Sequence, residues 1–214
     1  MRNIKKSIGM LVILLLIPAV LIGCGGPKIK ADESAKILFN FFIKSDKSGV
    51  SKITSDQSTI DKAEKAQKDE FSRQFKDGLV KQNLIINDDQ CNRIYTAYKG
   101  ALKNVTVTSK IASEDSKTST VSIKTNYIDL PGIVQKAQND TVAKVRAMQL
   151  TDTIKIRQEF VKAYVDELEK GLNAAKPGTG TKEKTFKFVL KDNNWLPEDS
   201  FDYGKQIGSM VCNQ

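Results

Sequence analysis

The stretch "VTVTSKIASEDSKTSTVSIKTNYIDLPG" (Val105–Gly132) decides the fold class of this chain. Val105, Val107 and Ile111 alternate with threonine, serine and lysine. After the polar run Ser113-Glu114-Asp115-Ser116-Lys117, Val121, Ile123, Thr125 and Tyr127 alternate again. A period of two places alternate side chains on opposite faces. Two such runs joined by a short polar turn therefore predict an antiparallel hairpin with one face buried and one face wet. Leu130-Pro131-Gly132 is expected to close the second strand.

Upstream the period is helical. Ala35, Leu38, Phe39, Phe42 and Ile43 mark a helix over 31–45, with Asp32 in its first turn and Gly49 expected to end it. Ile60, Ala63, Phe71, Phe75 and Leu79 form a sparse apolar stripe on a second, highly charged helix over 59–81. Asn87-Asp88-Asp89 signals the start of a third, which carries Cys91, Ile94, Tyr95, Tyr98 and Leu102.

Downstream, about 133–176 is helical in composition and too long for one ordinary helix, so a break is expected near Asn139-Asp140 or Thr151-Asp152. Pro177-Gly178-Thr179-Gly180 is a loop. Phe186, Phe188 and Leu190 alternate as a third strand, Asp192-Asn193-Asn194 turns, and Trp195 starts a fourth. Segregated helices and antiparallel strands make an α+β fold, with N-terminal helices packed on the sheet and a long helical insertion between strands.

The amino terminus supplies an address. Arg2, Lys5 and Lys6 precede an apolar run from Ile8 to Ile22 that contains Pro18. A helix crossing the bilayer needs about 20 residues, so this run is short for a permanent span and matches a secretory signal over 1–23. The run ends in Leu21-Ile22-Gly23-Cys24, which resembles the lipobox of bacterial lipoproteins. That resemblance implies a diacylglycerol on the Cys24 sulfur and cleavage just before it. The bilayer is then a partner, held through acylated Cys24. Residues 24–30 form a lipidated tether and 31–214 a single domain.

Removing Arg2, Lys5 and Lys6 from a formal charge of +9 leaves +6 on the mature chain. The basic residues are mostly lysines spread along the sequence, without the arginine-and-aromatic stripe of a nucleic-acid reader, so nucleic acid is not expected as a partner. Cys91 and Cys212 form a candidate disulfide in an exported protein; Cys91 also fits a buried apolar helical face as a free thiol.

The chain contains no histidine. That excludes Ser-His-Asp and Cys-His catalysis and imidazole-based zinc sites. The acid pairs Asp88-Asp89, Glu114-Asp115 and Glu198-Asp199 stand in cap and turn contexts, and adjacent residues do not face one another. A loop counted from Asp192 lacks the glycine and glutamate of a calcium hand. "PGTGTKEK" (Pro177–Lys184) lacks phosphate-loop spacing and lies between a helix and a strand, the reverse of that motif. No catalytic constellation, cofactor site or metal site emerges.

The helix "ADESAKILFNFF" (Ala31–Phe42) soon after the tether, and the late "FKFVLKDNNWLPED" (Phe186–Asp199), complete a resemblance to the cystatin-like or NTF2-like domains of Gram-positive surface lipoproteins that carry a domain of unknown function. It implies a curved sheet with a helix in its concave side and Trp195 filling the sheet near the end of the cone. A few NTF2-like enzymes use a buried acid and a tyrosine, which makes Tyr95, Tyr98, Tyr127 and Tyr164 candidate pocket residues. The favoured expectation is a non-enzymatic, membrane-anchored extracytoplasmic lipoprotein binding an extracellular protein or small molecule. The alternative is a solute receptor feeding a transporter.

Overall fold

A computed structural model describes residues 28–214. The signal segment and Cys24 lie outside the described residues, and the tether is seen from Lys28. There the Lys28 N–H donates to the Asn193 carbonyl at 3.1 Å, fixing the root of the tether against the turn between the last two strands.

Helix α1 (Ala31–Lys44) forms because its apolar residues fall on nearly every side, and nine of its residues are buried, among them Phe39, Phe42 and Ile43. It ends four residues before the expected Gly49, at Ser45, which takes the left-handed conformation (φ 56°). Gly49 (φ 82°) instead opens a short 3-10 turn over Val50–Lys52.

The sheet is a four-stranded antiparallel meander in the order β1 (Val107–Glu114), β2 (Thr118–Asn126), β3 (Thr181–Lys191), β4 (Asn194–Pro197). Val121 pairs with Phe186 and Ser119 with Phe188, so the apolar positions of β2 and β3 share one face. α1 and the last helix, α6 (Ser200–Val211), both lie there: Tyr203 of α6 packs edge-on against Phe186 and Phe188, with centroids 4.9 and 5.7 Å away.

The sheet curls around the first turn of α1. Ser109 on edge strand β1 donates to the Asp32 carbonyl at 2.8 Å. Two residues later, the Ser34 hydroxyl donates to the Trp195 carbonyl on the opposite edge strand, β4, at 2.5 Å. Edge strands of a flat four-stranded sheet would stand about 14 Å apart, too far for one helical turn to reach both. Trp195 is 2% exposed, closing this end.

Helices α2 (Gln57–Val80), α3 (Asp88–Leu102), α4 (Leu130–Ala147) and α5 (Thr153–Asn173) make the second layer, with α5 packed on α3 and α4 on α5. Asn87 and Gln90 form a capping box at α3, satisfying two otherwise orphaned N–H groups. Two expectations need correction. Leu130-Pro131-Gly132 does not close β2, which ends at Asn126; it opens α4, where proline's missing N–H is harmless and Asp129 caps Gly132. The helix α6 was not foreseen, because Gly204 and Gly208 dilute its propensity, although Tyr203, Ile207, Met210 and Val211 are buried at helical spacing. The helical insertion breaks at Met148–Asp152, with Asp152 capping α5.

Candidate functional site

Cys91 and Cys212 are both free and buried, so the candidate disulfide is not formed. The Cys212 sulfur meets the Tyr98 hydroxyl at 3.3 Å, and Tyr98 stands seven residues beyond Cys91, about 10 Å along the helix axis. Burial pushes the Cys212 thiol up to about 11, which suppresses thiolate chemistry.

The acid pairs occupy helix starts and turns. Asp88 and Asp89 lie in the first turn of α3. The Asp115 carboxylate accepts from the Lys117 and Thr118 N–H groups and the Thr118 hydroxyl, and these bonds hold it below its ordinary range. Asp199 caps α6 through the Asp202 N–H at 2.9 Å. Asp192 and Asn193 are the two central residues of the β3–β4 hairpin, both with positive φ (49° and 62°), as a primed turn requires.

The four tyrosines do not converge on one pocket. Tyr95 and Tyr98 pack on Phe71. Tyr164 stacks on Phe160, and its buried hydroxyl has no partner among the described residues. Tyr127 braces the Pro177–Gly180 loop, its carbonyl accepting from Gly178 N–H at 2.8 Å. Among the described residues lie two small apolar recesses: one of about 30 Å³ between α1 and the start of α2, lined by Leu38, Phe41 and Ile60, and one of about 20 Å³ lined by Phe71, Tyr98 and Leu168. Each has room for about one or two waters, far below the several hundred Å³ of a metabolite site.

Among the described residues two charged side chains are buried: Glu167, which pairs with Lys144, and Lys99, which serves the end of α1. Lys99, 7% exposed, donates its ammonium to the Phe42 carbonyl (2.7 Å), the Ile43 carbonyl (3.1 Å) and the Gln67 amide oxygen (3.4 Å). The two carbonyls are orphans of the α1 C-terminus, where a cation is favourable. Desolvation nevertheless dominates and pushes the amine down to about 8.

What remains for recognition is surface, and one regular surface is the outer face of the sheet. Register places Thr108, Lys110 and Ser113 of β1, Thr118, Thr120, Ser122 and Lys124 of β2, and Thr181, Glu183, Thr185, Lys187 and Lys191 of β3 on the face opposite the core. All are exposed or half-exposed. The Ser122 hydroxyl donates to Glu183, and Lys187 pairs with Glu198 at 2.7 Å. Sequence alternation pointed to a wet face, but not to which strands adjoin.

No family model matches the chain, and no curated protein matches it. Its fold is similar to a crystal structure of ycdA from Bacillus subtilis subsp. subtilis str. 168, a protein described as a lipoprotein. The TM-score is 0.61 at 14% sequence identity, over 86% of this chain. The match spans 57% of the ycdA chain.

Proposed function

We propose that this chain is a lipoprotein anchored to the outer face of the cell membrane, whose α+β domain binds a partner there without catalysis. The observation that carries the proposal is Leu21-Ile22-Gly23-Cys24 at the end of a basic-then-apolar leader. Two features support it. A protein of similar fold is described as a lipoprotein. Among the described residues no helix is long and apolar enough to cross a membrane. Two acyl chains hold a protein stably where one is marginal.

The binding role follows from what the domain offers. Among the described residues its tyrosines and acids serve packing, caps and turns, and the two recesses described above are too small for a metabolite. That favours a macromolecular partner on a surface over the solute-receptor alternative. The test is expression of wild type and Cys24→Ser in a bacterial host fed radiolabelled palmitate. Wild type is expected to incorporate label and partition with membranes as the shorter, processed form. Cys24→Ser is expected to stay unlabelled and unprocessed. Equal labelling and equal mobility would sink the proposal.

A further inference from the structure

We infer that the outer face of the sheet is a docking surface for a linear phosphodiester polymer, a chain of phosphate anions joined by short polyols. The inference deepens the binding role proposed above and rests on it for location only.

Three observations carry it. First, the face is basic: Lys110, Lys124, Lys187 and Lys191 share it with two acids, Glu183 and Glu198. Secondly, three of the four lysines, Lys110, Lys124 and Lys191, have no ion pair among the described residues, although Lys124 stands opposite Glu183 in register; Lys187 pairs with Glu198. Thirdly, the lysines stand in a lattice of hydroxyls. Lys110 faces Ser122 in register and Lys124 lies two positions on, so their Cα atoms are roughly 7–8 Å apart on the diagonal. Thr108, Thr120 and Thr185 adjoin them.

The chemistry selects the occupant. Lysine ammonium groups are point charges suited to successive phosphates, and neighbouring hydroxyls add donors without fixing one geometry. The outer face holds no arginine to fork onto a single phosphate and no aromatic ring on which bases could stack. A flexible polyanion without rings fits such a surface. Unmatched charge then becomes the driving force, through release of the polymer's counterions.

The test uses the full-length chain in non-ionic detergent, with poly(glycerol phosphate) as probe and binding followed at several salt concentrations. Lys110→Gln/Lys124→Gln is compared with Lys62→Gln/Lys68→Gln, which removes equal charge from exposed positions of α2. Wild type and the α2 variant are expected to bind alike. The sheet variant should bind about 30-fold more weakly and show a shallower salt dependence, by about 1.4 in the log–log slope. Equal losses in both variants would mean that net charge alone is read, and would overturn the inference. So would retention on phosphatidylglycerol vesicles but not on the polymer, which would make the face a membrane contact. Because detergent removes any role for the anchor, failure here leaves the palmitate result untouched, and the converse also holds.

Discussion

Lys99 shows how one side chain can be both a fastener and a burden. Its ammonium closes the α1 C-terminus, yet burial pushes its pKa from 10.5 down to about 8. Between those values the unfolded chain holds a proton that the native chain has released, so stability conferred through this group rises with pH. Lys99→Met strands the Ile43 carbonyl and leaves the Phe42 carbonyl with the Gln67 amide N–H alone, and should cost about 1–3 kcal/mol at pH 7. The gap between wild type and variant should then widen by about 2 kcal/mol by pH 9.5. Urea midpoints of both proteins at pH 7 and 9.5 measure this; parallel behaviour would show that Lys99 does not titrate in that window. The buried tyrosines titrate in both proteins and cancel in the comparison. The cysteines make a second residue-scale prediction. Ellman titration of the processed, unreduced protein should find no reactive thiol in the native state and two after denaturation, from Cys91 and Cys212.

At the scale of elements, caps decide where helices begin. A Cβ at Gly132 would meet the Asp129 carboxylate oxygen at 2.2 Å, displacing the group that accepts the Gly132 N–H at 3.2 Å. Gly132→Ala and Asp129→Ala should each cost about 0.5–2 kcal/mol, and the double variant little more than either, since both remove the same cap. Gly100 is the contrast. It lies inside α3 with open space around its missing Cβ, so Gly100→Ala should stabilise by about 0.5–1 kcal/mol. Chemical denaturation of all four variants checks both expectations. The same elements explain what could be read from the sequence. The strand periods, the Asn87-Asp88-Asp89 helix start, the break at Thr151-Asp152 (one of two expected places) and the turn at Asp192-Asn193-Asn194 are local signals, and each was legible. Pro131 was ambiguous because proline both ends strands and starts helices. The glycine-diluted α6 was hidden because tertiary burial of Tyr203 and Ile207 outweighs its propensity. The outer sheet face was half legible: alternation gave its residue types, while the neighbourship of β2 and β3 spans the whole helical insertion.

For the molecule as a whole, the tether and the sheet together set an orientation. The Lys28 N–H is held by the Asn193 carbonyl, and beside it the Leu190 N–H is held by the Lys117 carbonyl, so both hairpin turns stand at the tethered end of the sheet. Four residues separate Lys28 from Cys24, a reach of about 14 Å at full extension. With lipid on Cys24, as proposed, that end is confined near the bilayer, while Thr181 lies at the opposite end of β3. Nine residues of extended strand separate Thr181 from Leu190, about 30 Å. A phosphodiester polymer on the outer face would then run beside a sheet standing away from the membrane. The orientation can be measured without disturbing the core, because the native thiols are buried. Single donors placed at Lys117→Cys and Thr181→Cys, both exposed positions, are reconstituted in vesicles containing an acceptor-labelled lipid. Energy transfer from position 117 should clearly exceed that from 181, and adding detergent should abolish both. Equal transfer would mean that the sheet lies flat on the bilayer, hiding part of its outer face and contradicting the orientation derived from the Lys28 bond.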